Sequence, residues 1–103
     1  MGENTYIRVR WLHDFEDEPI DLWSELDRER FETRKLEVFR DGGIGFASAS
    51  EATHRTWLGE IAVPPVDEIA QDPQFVAEEV SKEEFERRWS ARHARRAAPR
   101  DRL

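Results

Sequence analysis

Alternation of polar and apolar side chains in the first half of the chain constrains the fold more than any other feature. In residues 5–13, apolar residues such as Ile7 and Trp11 alternate with two arginines, and residues 20–26 alternate in the same way. A period of two residues is typical of a strand with one buried face. The acidic, proline-containing stretch between the two segments is disfavoured in a strand interior. The pattern therefore predicts two strands joined by a loop at residues 14–19.

A second pair of strands is predicted on either side of a glycine-containing turn. Residues 31–40 carry β-branched and aromatic side chains, and residues 44–48 are mainly apolar. A three-residue loop at residues 41–43 would pair Val38 with Phe46, with a glycine at the position that needs a positive φ. One face of this hairpin would then carry the four apolar side chains Leu36, Val38, Ile44 and Phe46.

Two weaker signals follow in the C-terminal half. Residues 56–63 are a candidate strand that two prolines would close. Residues 65–71 begin with proline and carry acids early, as the first turn of a helix does. The sequence therefore predicts one further strand and one short helical turn.

The clearest local signal marks the start of a C-terminal helix. Ser81 and Glu84 are spaced as in a capping box, and Val80 and Phe85 occupy the two positions of a hydrophobic staple. Phe85 and Trp89 lie one turn apart and form a narrow apolar stripe. We therefore predict a helix that begins at Ser81 and docks on a face of the sheet.

These elements together predict an α+β protein: a small antiparallel sheet of four to five strands, with a short helical turn and a C-terminal helix packed on one face. A chain of 103 residues is near the commonest domain size, and its eleven aromatic residues can supply a core. We predict a single domain over residues 1–92. Residues 93–103, beyond the apolar stripe, are predicted to be a basic, frayed tail.

The composition excludes thiol chemistry and bears on location. The chain has no cysteine, so it forms no disulfide and has no thiolate metal ligand or nucleophile. Its N-terminus lacks the basic and apolar run of a signal peptide, and no apolar stretch approaches the ~20 residues that a membrane span needs. We therefore expect a cytoplasmic protein with no membrane association and no cofactor.

The charges are divided unevenly along the chain. Residues 1–86 carry 22 acidic and 9 basic side chains, whereas residues 87–103 carry 1 acidic and 7 basic side chains. An acidic body repels nucleic acid and anionic membranes and attracts cationic partners. We therefore expect a protein partner with a basic surface, and only the tail is suited to contact nucleic acid. The pattern makes no prediction about oligomeric state.

Five stretches of the chain together resemble a known family. They are Tyr6-Ile7-Arg8-Val9-Arg10-Trp11-Leu12-His13-Asp14, Glu18-Pro19, Arg34-Lys35-Leu36-Glu37-Val38-Phe39-Arg40-Asp41-Gly42, Leu58-Gly59-Glu60-Ile61 and Ser81-Lys82-Glu83-Glu84-Phe85. Over residues 5 to 90 the chain is similar to small bacterial proteins catalogued only as a domain of unknown function. The resemblance implies no catalytic motif. It suggests a link to toxin and immunity proteins, because such small domains sometimes lie in their genomic neighbourhoods.

The acidic loop holds the densest set of possible metal ligands. These are His13, Asp14, Glu16, Asp17 and Glu18. A hard cation needs oxygens that converge from several directions, and the alternate acids around a glycine that mark an EF-hand loop are missing. The sequence therefore favours a solvated acidic loop over a metal site.

Trp23 allows two interpretations. It lies between two acids on the polar side of its strand, where it could be an exposed aromatic anchor near Arg34. Alternatively, the C-terminal helix covers this face, and Trp23 packs on Phe85 or Trp89. Core packing is favoured, because large aromatic side chains are mostly buried in small domains.

No serine or histidine stands in a recognisable catalytic context. The candidates for a nucleophile and a base are Ser24, Ser48, Ser50, His13 and His54. None of them lies in a nucleophile-elbow motif. A general acid–base pair of His13 with Glu25 across adjacent strands has no specific signal either.

The sequence favours a non-enzymatic binding protein, of the immunity type, whose acidic surface binds a basic partner. The alternative is a small enzyme or ligand-binding domain with a pocket on the sheet face, formed by His13, Trp23, Glu25 and Arg34. A deep pocket lined by these four residues would favour the alternative, and a flat acidic face would favour partner binding. The candidate binding residues are Trp23, Glu16, Asp17, Glu18, His13, Glu25 and Arg34.

Overall fold

A computed structural model describes residues 3–53 and 56–93, which form a five-stranded antiparallel sheet and two helices. In chain order the elements are β1 (Thr5–Trp11), β2 (Asp21–Leu26), β3 (Glu32–Val38), β4 (Ile44–Ser48), α1 (Val66–Ile69), β5 (Phe75–Val80) and α2 (Lys82–Ser90). The strands lie in the order β4-β3-β2-β1-β5, so that β4 and β5 form the two edges. The predicted α+β fold is confirmed, with the C-terminal helix packed on the sheet.

The strands β1 and β2 follow the predicted alternation, which gives the sheet two different faces. Arg8 lies opposite Trp23 on the face that α2 covers. Trp11 and Leu22 point to the other face, because successive side chains of a strand alternate. Each face therefore collects its own set of side chains.

The β3–β4 hairpin forms as predicted, but its predicted register is wrong. Val38 pairs with Ile44 and not with Phe46. The three-residue loop starts one residue earlier than predicted, at Arg40, and this places Gly42 at the position of positive φ, 91°. Glycine adopts this conformation without strain. Because the register differs by two residues, the four apolar side chains of the hairpin still share one face, as predicted.

The fifth strand is β5, which pairs with β1, and the prediction of a strand at residues 56–63 is wrong. Side chains of β3 bind the backbone of that segment instead. Lys35 donates to the carbonyl oxygen of Trp57 at 3.2 Å, and Glu32 accepts from the N–H of Gly59 at 2.7 Å. The segment therefore lies irregularly across the sheet face opposite α2.

The helix α2 begins and packs as predicted. The Oγ of Ser81 accepts from the N–H of Glu84 at 3.0 Å, which confirms the cap. Phe85 is fully buried, and its ring centroid lies 5.3 Å from that of Tyr6. The core beneath the helix consists of Tyr6, Trp23, Leu36, Phe46 and Phe85, with Ile44, Val80 and Trp89 packed against it.

Three further predictions concern the rest of the chain. The predicted helical turn is α1, which follows Pro65. In the predicted tail, the ring of His93 packs edge-on against Phe46 with centroids 5.1 Å apart, and residues 94–103 lie outside the described residues. None of the helices described here has the length and apolar character needed to cross a membrane.

Candidate functional site

An open groove of about 950 Å³ lies on the sheet face opposite α2. Its apolar lining consists mainly of Trp11, Leu22, Phe39 and Trp57. Trp11 and Leu22 are half-buried strand residues, whereas Trp57 belongs to the irregular segment and is 65% exposed. Tryptophan is enriched at the centres of protein interfaces. The groove therefore offers flat aromatic surface of the kind that binding sites use.

Hydrogen bonds position the two tryptophans of the groove. The indole N–H of Trp11 donates to Oε1 of Gln74 at 2.8 Å, and the ring of Trp11 meets that of His13 edge-on with centroids 4.3 Å apart. The carbonyl oxygen of Trp57 accepts from Nζ of Lys35 at 3.2 Å. The bond to Trp57 holds its backbone and leaves its ring in solvent.

Carboxylates line the groove beside this aromatic surface. They belong to Glu16, Asp17, Glu18, Glu37 and Asp41. Glu37 accepts from Oγ1 of Thr56 at 2.9 Å, and Asp41 accepts from the N–H of Gly43 at 2.8 Å. The three loop carboxylates, Glu16, Asp17 and Glu18, are exposed, and we find no hydrogen bond or ion pair to them within residues 3–53 and 56–93. We call these three residues the acidic triplet.

Two side chains hold the backbone that carries the acidic triplet. Arg40 donates to the carbonyl oxygens of His13 at 2.8 Å and Phe15 at 3.4 Å. Both ring nitrogens of His13 are bound, since Nε2 lies 2.9 Å from the carbonyl oxygen of Pro19 and Nδ1 accepts from the N–H of Phe15 at 2.9 Å. This geometry fits the neutral tautomer with its proton on Nε2. The loop therefore presents its carboxylates from a fixed backbone.

Among the described residues, no serine hydroxyl is hydrogen-bonded to a histidine ring. No three histidine or carboxylate side chains among them are placed to hold a metal ion together. The Oγ of Ser24 lies 3.5 Å from a carboxylate oxygen of Glu32, and the hydroxyls of Ser48 and Ser50 lie 3.3 Å apart. His54 lies outside the described residues.

Trp23 is fully buried beneath α2, which corrects its interpretation as an exposed anchor. Arg8 and Arg88 each place a guanidinium over its ring, 4.9 and 4.7 Å from the centroid. The core-packing alternative is therefore confirmed. The exposed tryptophan is Trp57, which no motif in the sequence singles out.

Glu25 of β2 and Arg34 of β3 form an ion pair within the sheet, and Arg34 also pairs with Glu86 of α2. The guanidinium of Arg34 binds both carboxylate oxygens of Glu25, at 2.7 and 2.8 Å, and reaches Glu86 at 2.7 Å. The hydroxyl of Tyr6 also donates to Glu25, at 2.9 Å. The hydrogen bonds from Arg34 lower the pKa of Glu25 from 4.5 to about 2, and they lower the pKa of Glu86 as well. We call these four residues the Arg34 clasp.

The structure does not bring His13, Trp23, Glu25 and Arg34 together in one pocket. The helix α2 covers the last three residues. His13 follows the end of β1, whereas Glu25 pairs near the start of that strand. The groove is instead lined by the acidic triplet and by residues of the opposite sheet face.

No curated protein and no solved structure matches the chain significantly. A family model described as Domain of unknown function (DUF6881) matches residues 5–94, nearly the full length of the chain. The match covers the segment over which the sequence motifs resemble such a family. The chain therefore belongs to the family of the domain of unknown function DUF6881.

Proposed function

We propose that the protein is a non-enzymatic binding protein whose acidic groove receives the basic surface of a protein partner. The observation that carries this proposal is a single groove that is lined both by the exposed acidic triplet and by Trp57, whose ring is exposed. A partner of this kind would be a basic toxin, which an immunity protein in the cytoplasm neutralises. The proposal needs no chemistry beyond recognition.

Charge and aromatic surface contribute to different steps of binding. Exposed carboxylates attract a cationic surface over roughly 8–10 Å at physiological salt and raise the association rate. An aromatic ring that becomes buried at an interface slows dissociation. Because Arg40 and His13 already hold the loop backbone, less entropy is lost when the partner orders the loop.

The test measures association kinetics with the partner purified from the source cells. Changing Glu16, Asp17 and Glu18 to lysine should lower the association rate by about tenfold or more, because attraction becomes repulsion. Rising salt should slow the association of the unchanged protein for the same reason. Rates that respond to neither change would contradict the proposal.

A matched control separates local charge from net charge. Asp67 and Glu68 on α1 and Glu83 on α2 are exposed and do not line the groove. Changing these three residues to lysine alters the net charge by the same amount as changing the acidic triplet. The control variant should therefore associate faster than the triplet variant, and equal rates would show that the groove is not the binding surface.

A further inference from the structure

We infer that the groove binds an arginine side chain of its partner, with the guanidinium stacked on Trp57 and bonded to carboxylates of the acidic triplet. This inference rests on the proposed function, because it names the group of the basic partner that the groove takes. The model for such a site is the Arg34 clasp, where the chain already holds a guanidinium of its own.

In the clasp, Arg34 makes two kinds of contact. Its nitrogens bind the carboxylates of Glu25 and Glu86, and its Cζ lies 5.0 and 5.1 Å from the ring centroids of Phe85 and Trp89. A planar guanidinium makes both contacts at once, because its edges donate hydrogen bonds while its faces stack on rings. An arginine site in this protein therefore consists of carboxylates placed beside aromatic rings.

The groove contains the same groups, and no cationic side chain of residues 3–53 and 56–93 stacks on its rings or bonds to the acidic triplet. Trp11, Phe39 and Trp57 supply rings, and the acidic triplet supplies carboxylates. Arg40, the basic residue of the lining, is bound to backbone carbonyls of the loop. Within the described part of the chain, every close contact of a guanidinium with a ring involves Trp23, Phe46, Phe85 or Trp89. A guanidinium from outside would complete the groove as Arg34 completes the clasp.

Arginine suits this arrangement better than lysine. A guanidinium is weakly hydrated, stacks with its plane on an aromatic ring, and carries five N–H donors that can reach several carboxylates. An ammonium group is a compact and strongly hydrated charge with three donors. Carboxylates alone attract both cations. Selectivity for arginine is therefore the property that the rings of the groove add.

The test compares two short peptides by NMR, through the indole N–H signals of the four tryptophans. The probes are acetyl-Gly-Arg-Gly-Arg-Gly-amide and the same peptide with lysine in place of arginine. The signals of Trp57 and Trp11, assigned with Trp57→Phe and Trp11→Phe, should shift on addition of the arginine peptide. This peptide should bind about fivefold more tightly than the lysine peptide, as an exposed cation–ring contact allows.

The matched variants lie in the same irregular segment. Trp57→Ala should abolish the preference for arginine, whereas Ile61→Ala should retain it, because Ile61 is 80% exposed and does not line the groove. Equal affinity for the two peptides, a preference that survives Trp57→Ala, or the absence of arginine-peptide binding would overturn the inference. The proposed function has its own readout, the association rate of the triplet variant with the partner. If the triplet variant associates slowly with the partner but the groove shows no preference for the arginine peptide, the proposed function stands and only this inference fails.

Discussion

Both faces of the sheet carry aromatic rings and carboxylates, but the rings and carboxylates beneath α2 are largely buried, whereas Trp57 and the acidic triplet on the opposite side are exposed. Beneath α2, arginine side chains lie over the rings of Trp23, Phe46 and Phe85, and the Arg34 clasp satisfies the buried carboxylate. On the open face, the ring of Trp57 and the acidic triplet are exposed. Groups with partners stabilise the fold, whereas exposed groups remain available to a ligand. Substitutions of the buried groups beneath α2 should therefore change stability, and those of the exposed groups on the opposite face should change binding.

The largest expected difference separates two tryptophans. Trp23→Ala removes a fully buried ring and should lower the free energy of unfolding by about 3–5 kcal/mol. Trp57→Ala removes a ring that is 65% exposed and should change this free energy by less than about 0.5 kcal/mol. Urea denaturation followed by circular dichroism measures both values. Similar losses of unfolding free energy in the two variants would contradict the different roles that we assign to these two rings.

The Arg34 clasp should be the next most sensitive feature of the covered face. Arg34→Ala leaves the carboxylate of Glu25, a residue that is 7% exposed, without its main partner. Breaking such a buried pair should lower the free energy of unfolding by about 3 kcal/mol. Arg28→Ala, at an exposed position after β2, is the control and should cost less than about 0.5 kcal/mol. If the two variants unfold at the same denaturant concentration, the clasp does not hold the helix to the sheet.

Acid should weaken the covered face through the same clasp. Because Arg34 binds Glu25, the pKa of this carboxyl is about 2 in the folded protein, against an ordinary value of 4.5. A carboxylate with a lowered pKa contributes stability above its ordinary pKa, and this contribution is lost as the pH falls from about 4.5 to about 2. The stability lost on protonation of Glu25 should be smaller than the stability lost in Arg34→Ala, because a protonated carboxyl leaves no unpaired charge on Glu25.

The measurement for this prediction is the free energy of unfolding across the same pH range. It should fall less steeply with decreasing pH in Glu25→Gln than in the unchanged protein, since glutamine does not titrate. Glu83→Gln, at an exposed position of α2, should keep the slope of the unchanged protein. A Glu25→Gln variant with an unaltered slope would show that Glu25 does not link stability to pH.

The features that could be predicted from the sequence are those with a local signal. The alternation in β1 and β2, and the spacing of Ser81 and Glu84, each specify an element through near neighbours. The apolar face of the β3–β4 hairpin has the same kind of signal. Its register does not, because loops at residues 40–42 and 41–43 both contain a glycine that can adopt a positive φ.

Features that depend on contacts between distant segments could not be predicted in this way. The strand β5 contains two consecutive glutamates and lacks alternation, and it is a strand because its backbone pairs with β1 from the other end of the chain. A single helix covers only one sheet face, and the sequence of β2 does not determine which. Trp23 is buried because α2 lies over it, and Trp57 is exposed because nothing among the described residues covers its ring. The sequence therefore indicated the acidic triplet as a candidate site, but it did not indicate that Trp11 and Trp57 line the same groove.

The smallest expected effect lies at the start of α2. Ser81→Ala removes the oxygen that accepts from the N–H of Glu84 at 3.0 Å, and loss of such a cap should lower the free energy of unfolding by about 1 kcal/mol. Ser81→Asp keeps an acceptor at the positive end of the helix dipole and should preserve stability. Since Ser81 does not line the groove, both variants should bind the arginine peptide within about twofold of the unchanged protein. Chemical denaturation and the NMR titration give the two values for each variant. An unchanged free energy of unfolding in Ser81→Ala would mean that the cap does not stabilise α2, and weakened peptide binding would mean that the two faces are coupled through the sheet.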